Sequence, residues 1–172
     1  MDTAENKPIE EKPAPQRRII KERDEVRDYI AELTESAVRE IVIFAPQLDG
    51  YIFNTTRVSR ALASFSARHR YNLVRIVVED VEQMMRDNDR LVSLCRRLSD
   101  FIQIHKVGEE HSGIREMFMA VDHHSYLHQE DNAKPEHLAG RHDTRQTVML
   151  VRRFREIWDR SEPISALRTA GL

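Results

Sequence analysis

Arg115, Met117 and Asp122 put a guanidinium, a thioether and a carboxylate at fixed intervals along one short segment. Residues two apart in a strand share a face, so Arg115 and Met117 project together. The planar fork of an arginine can pair with an anion. At its usual pKa, however, it serves neither as a nucleophile nor as a proton donor at neutral pH. Asp49 follows a short apolar run, at the kind of strand end where ligands gather in parallel α/β sheets. His111 closes the acidic pair Glu109-Glu110. These four, Asp49, His111, Arg115 and Asp122, form the candidate ligand-binding set, and no catalytic residue is assigned.

The remaining reactive side chains fit no familiar chemistry. His123, His124 and His128 fall within one hairpin pattern, and His137 and His142 follow it, yet the chain has no HExxH and no regular ligand spacing. Neither a metal nor another cofactor is therefore expected. His105 and Lys106 are adjacent, so in a strand they point to opposite faces and cannot converge on one phosphate. Gly108 and Gly113 are too isolated for a phosphate-cradling loop, and a nucleophile elbow is missing. The lone Cys95 lies among Leu91, Val92, Leu94 and Leu98 at helical spacing, as a small core residue would.

The elements that must position these residues follow from periodicity. Val26, Tyr29, Ile30, Leu33, Ala37 and Val38 recur at three- and four-residue steps and predict a helix with one apolar stripe. Ile41 to Ala45 and Leu73 to Val78 are unbroken β-branched runs, which suit strands buried on both faces. Between them Val58, Ala61, Leu62 and Phe65 predict a helix capped at Asn54, Thr55 or Thr56. Strand, helix, strand within this length is a parallel βαβ unit. A helical pattern from Val81 is punctuated at Asp87-Asn88-Asp89, either one kinked helix or two. Phe101 to Lys106 is a third strand, and Met117 to Val121 with Tyr126 to His128 predicts a hairpin. Residues 129–144 read as an exposed polar loop, and Arg145 to Trp158 as a final amphipathic helix with a basic outer side.

The 172 residues bound one domain with tails, 40% hydrophobic and 33% charged. Residues 1–18 hold Pro8, Pro13 and Pro15 among charged residues and read as a disordered tail. The domain is expected over residues 19–163, with a second tail over 164–172. No apolar run is long enough to span a membrane, and Met1 to Lys7 lacks the pattern of a secretory signal, so a cytoplasmic location is expected. A net charge of -2 does not supply the basic footprint of non-specific nucleic-acid binding.

This order of elements resembles one half of a phospholipase D-like domain. Enzymes of that superfamily carry His-x-Lys-x4-Asp: the histidine attacks phosphorus, the lysine holds phosphate, and two copies face each other across paired domains or subunits. Aligned on Asp122, the pattern places Arg115 at the histidine and Met117 at the lysine, so only the aspartate is kept. Beyond the motif, the chain resembles an uncharacterised bacterial branch of the superfamily that lacks the catalytic set. The resemblance runs from Ile20 to Pro163 and includes Asp49, Glu109-Glu110-His111, Ala120-Val121-Asp122 and Ile157 to Pro163. In some longer bacterial proteins a related domain accompanies an N-acetyltransferase domain; the polar segment before Ile20 is too short to fold as one.

The resemblance implies an α/β fold, one half domain with a mixed, mostly parallel sheet and helices on both faces. It implies a non-catalytic module that binds a protein partner or a small anionic ligand, as a homodimer with Arg115 and His111 near the interface. Two other readings compete with it. One is a phosphodiesterase or nuclease that uses His111 or His105 as an altered catalytic residue, and the other is a nucleic-acid-binding module.

Overall fold

A computed structural model describes residues 11–168. In chain order the elements are β1 (Gln16–Ile20), α1 (Arg23–Ser36), β2 (Glu40–Phe44), α2 (Gly50–Phe53), α3 (Thr56–Arg68), β3 (Leu73–Val78), α4 (Val81–Asp87), α5 (Asp89–Arg97), β4 (Ile102–Lys106), β5 (Met117–Val121), β6 (Ser125–Gln129), β7 (His137–Arg141), α6 (Thr144–Asp159) and β8 (Glu162–Pro163). All eight strands join one sheet in the order β1-β7-β6-β5-β2-β3-β4-β8.

The sheet is mixed but mostly antiparallel, which corrects the expected parallel majority. Only β2/β3 and β3/β4 run parallel, and the other five pairings are antiparallel. Three strands that the sequence hides supply three of the five antiparallel pairings, and β5 adds another by running against β2. His137 to Arg141 lies in the stretch read as a loop, yet it pairs along β6, with Tyr126 opposite Gly140. Its Ala-Gly centre has low strand preference, so nothing in the local pattern announces it. Gly140 is required there, because a Cβ at that position would stand 2.2 Å from the Tyr126 ring. Strand β1 adds to β7 over five residues, taking in residues 16–18 that composition assigns to a tail. Among its residues only Ile20 is buried, as an edge strand allows. Residues 1–10 of that expected tail lie outside the described residues.

At the other edge β8 pairs with the end of β4. Past it, Ser165–Leu167 forms a 3-10 turn, and Ile164 and Leu167 are buried against the helical layer. Residues 164–168 are thus packed, and 169–172 lie outside the described set. The punctuation at Asn88 separates two helices, α4 and α5.

Helices cover both faces, and the two-residue period of the strands divides the core between them. On β2, Ile41 and Ile43 join the large cluster beneath α1, α3 and α5, while Val42 and Phe44 join the smaller one under α6. On β5, Met117, Met119 and Val121 go to the first cluster, and Phe118 and Ala120 to the second. Both strands are covered twice, which is why they read as unbroken apolar runs. The single helix α6 closes the second face with Leu150, Val151, Phe154 and Ile157.

Candidate functional site

The carboxyl ends of β2, β3 and β4 and the amino end of β5 meet at one edge of the sheet, because β5 runs antiparallel to β2 with Phe118 opposite Phe44. A cleft of about 1560 Å³ opens there. Pro46 ends β2, and its carbonyl accepts both Glu79 N and Asp80 N at 3.0 Å, which fixes the adjoining strand ends. Asp80 then caps α4 through Gln83 N at 2.9 Å. Gln83 in turn clamps Leu48, accepting from its N–H at 3.0 Å and donating to its carbonyl at 2.8 Å. These bonds hold the cleft wall with side chains that are thereby occupied.

Two of the four expected residues line this cleft. Asp49 accepts from Tyr51 N at 3.0 Å as the cap of α2, and Arg23 donates to its other oxygen at 2.7 Å. Arg115 sits just before β5, with 64% of its side chain exposed and Asp131 at 3.3 Å. Met117 lies beside it, 7% exposed, on the cleft wall. Lys106, the last residue of β4, and Lys134 also line the cleft, and among the described residues neither pairs with a carboxylate. Sequence reasoning set Lys106 aside as half of a pair with His105 and passed over Lys134. The strand-end rule that singled out Asp49 applies equally to Lys106 at the end of β4, whereas Lys134 reaches the cleft from the connection between β6 and β7.

The other two expected residues stand elsewhere. His111 closes the 3-10 turn Glu109–His111 outside the cleft lining, and its Nδ1 is buried without a hydrogen-bond partner. Asp122 follows the far end of β5, a strand that spans about 13 Å at the usual rise. Its carboxylate accepts from Val38 N at 3.0 Å, Arg39 N at 2.7 Å and Glu40 N at 3.0 Å, and its own N–H donates to Glu40 O at 2.8 Å. Its φ of 54° is left-handed, a conformation that aspartate tolerates better than most residues. The four candidates therefore do not converge; Asp49 and Arg115 alone share a site.

The histidines are dispersed as well. His105 lies under α6, its ring stacked on Trp158 at 3.7 Å between centroids and its Nδ1 bonded to Ser161 Oγ at 2.8 Å. Burial lowers its pKa. Lys106 faces the cleft instead, as alternation along a strand requires. His137 lines the cleft but is 7% exposed, with Nδ1–H directed at Pro135 O at 2.8 Å; burial lowers its pKa too. His128 is bonded to Glu116 at 3.1 Å, and His124 is bonded to Ser125 Oγ at 2.8 Å. Among the described residues no three His, Cys, Asp or Glu side chains are placed to hold a metal ion. Burial raises the Cys95 thiol to about 11, the state of an inert core residue. Among the same residues no helix is long and apolar enough to cross a membrane.

Comparison with known proteins bears on the fold and the family. A family model described as a domain of unknown function, DUF7931, matches residues 22–170. No curated protein sequence matches the chain. Solved structures share its fold at low identity. Nuc from Salmonella typhimurium, a phospholipase D family member, aligns with a TM-score of 0.64 and 13% identity over 91% of this chain and 100% of its own. NucT from Helicobacter pylori aligns at 0.62 and 12% over 88% of this chain and 100% of its own. TrmBL2, an archaeal chromatin protein whose structure shows a novel mode of DNA binding, aligns at 0.62 and 14% over 87% of this chain. This chain spans 54% of the length of TrmBL2. The phospholipase D-like fold implied by the element order is thus found, at identities that speak for the fold alone.

Proposed function

The chain belongs to the DUF7931 family of domains of unknown function, and from that membership and its phospholipase D-like fold we propose a cytoplasmic, non-catalytic module that binds a small anionic ligand in the cleft and works as a homodimer. One observation carries this reading. At the cleft end of β5, where the superfamily pattern would align a histidine and a lysine, stand Arg115 and Met117. A guanidinium can hold an anion there, but it cannot attack phosphorus. The exposed contact between Arg115 and Asp131 is of a kind that contributes little on its own, so a stronger anion can displace it. Lys106 and Lys134 add cationic donors from two further elements. The homodimer is motivated by the resemblance, since half-size members of the superfamily pair two chains.

The competing phosphodiesterase reading needs His105 or His111 beside an anion held in the cleft. His105 stacks under α6 and His111 lies outside the cleft lining, so neither position favours it.

Titrating the full chain with inorganic phosphate, observed by amide NMR, tests the binding. Gly113 and Ile114, which line the cleft, should shift saturably, and Arg115→Ala with Lys106→Ala should weaken that response about a hundredfold. Unmoved cleft amides would refute the site. A nitrophenyl phosphodiester should not turn over, and turnover lost in His111→Ala or His105→Ala would replace this reading with the enzymatic one. Light scattering at micromolar concentration should give a dimer, and a monomer would remove that part of the proposal.

A further inference from the structure

Twelve of the described arginines pair with a carboxylate. Arg60, Arg90 and Arg97 form no such pair among the described residues, yet these three line one depression of about 310 Å³. It lies between α3 and α5, on the outer side of the helical layer, and shares no lining residue with the cleft.

Helical spacing explains the convergence. On α3, Thr56, Ser59 and Arg60 stand three and four residues apart; on α5, Arg90, Ser93 and Arg97 stand at steps of three and four. The opposite sides of both helices are committed to the core, through Val58, Leu62 and Phe65 on one and Leu91, Leu94 and Cys95 on the other. Packing the two helices together therefore aligns their hydroxyl- and arginine-bearing stripes across a groove. The one carboxylate in the lining, Asp89, accepts from Asn54 Nδ2 at 2.8 Å. Asn54 Oδ1 accepts the Arg90 N–H at 3.0 Å, so Asp89 is held by the asparagine and forms no ion pair with the three guanidiniums.

Three like charges gathered on neighbouring helices repel one another, and among the described residues the nearby Asp89 and a long bond from Arg90 to Asn54 O at 3.4 Å offset them only in part. Guanidiniums offer paired N–H donors at the geometry of phosphate oxygens, and hydroxyls supply short donors beside them. We infer that this depression is a phosphate-binding site, formed by Arg60, Arg90 and Arg97 with Ser59 and Ser93, for a phosphate group that reaches into the α3–α5 groove. The group can belong to a free phosphorylated small molecule or to a nucleic-acid backbone.

Amide NMR of the full chain with inorganic phosphate, against sodium chloride at matched ionic strength, reads the site directly. Ser59, Arg60 and Ser93 should shift saturably with phosphate only. Arg60→Ala with Arg97→Ala, both exposed on helices that accept alanine, should weaken binding at least about tenfold. Ser93→Asp, which places a second carboxylate in the lining, should abolish it, whereas Arg115→Ala should leave it unchanged. Adenosine monophosphate and a short single-stranded oligonucleotide separate the sources. A response of the same amides to the nucleotide identifies a free phosphate ligand; a response to the oligonucleotide alone, falling steeply with salt, identifies the backbone. Equal shifts with chloride, or undiminished affinity in the double variant, would overturn the site. Because the cleft is read at Gly113 and Ile114, failure of either site is visible without the other.

Discussion

The two ends of β5 treat their charged residues in opposite ways. Past its carboxyl end, the Asp122 carboxylate is consumed by the backbone N–H groups of Val38, Arg39 and Glu40, and the residue is 9% exposed. Before its amino end, Arg115 is largely exposed and holds only Asp131. Five residues of strand separate a carboxylate that joins two elements from a cation that remains available. A motif position kept in sequence can therefore be a structural joint, while the position that has lost its catalytic residue faces the cleft.

The sharpest way to break this comparison is to remove the joint. Asp122→Ala deletes the acceptor for three backbone N–H groups and puts a less tolerant residue at a positive φ, and should destabilise the fold by about 3–5 kcal/mol. Chemical denaturation gives that number. Asp122→Asn keeps a carbonyl acceptor and the left-handed preference, and should recover more than half of the loss. If alanine costs less than about 1 kcal/mol, the joint reading fails.

A second joint sits in the antiparallel half. Asp143 is 1% exposed, caps α6, accepts from Tyr126 OH at 2.9 Å and takes a two-pronged bond from Arg17 at 2.6 and 3.1 Å. The Arg17 guanidinium holds its carboxyl below the usual carboxylate range, against the effect of burial. Since the folded pKa is the lower one, this contribution is present above the ordinary aspartate pKa of about 3.9 and is lost as pH falls through the folded value. Asp143→Ala should cost about 2–4 kcal/mol through the lost cap and the stranded Tyr126 hydroxyl. It should also flatten the acid limb of stability against pH below about pH 4; an unaltered limb would mean that other carboxylates set it. A smaller effect is expected at Gly140, where alanine drives a methyl against the Tyr126 ring and should cost about 1–3 kcal/mol.

These joints also show what could be read in advance. The doubly covered strands β2, β3 and β5 were legible because burial on both faces forces unbroken apolar runs, and α1, α3 and α6 because one-sided burial imposes a helical period. Strand β7 was not, since its Gly140 serves the neighbouring Tyr126 and not its own strand preference. Strand β1 was not either: an edge strand buries only Ile20, and its hold on the sheet is the distant ladder to β7 together with the bond from Arg17 to Asp143, 126 residues away. Missing these strands and β8, and not foreseeing that β5 runs against β2, made the sheet look mostly parallel. For the site, local pattern placed Asp49 and Arg115 at strand ends, but it could not bring Lys134 across the β6–β7 connection or separate His111 from the cleft. Those relations are set by which strands become neighbours.

The open end of β5 makes the last prediction, and its smallness in stability is the point. Arg115 is exposed, and its one ion pair is of the surface kind, so Arg115→Ala should change stability by less than about 0.5 kcal/mol. Its effect belongs in binding: the cleft response to phosphate should fall about tenfold, because a charge-assisted bond to the ligand is lost while the strand behind it stays in place. Arg115→Lys keeps the charge but not the fork, and should recover only part of that affinity. If Arg115→Ala destabilises the fold as much as Asp122→Ala does, the two ends of β5 are alike and the cleft loses its claim to an available cation. If stability and anion binding both stay unchanged, Arg115 is a solvated side chain, and the cleft would have to bind through its other cations, Lys106 and Lys134 among them.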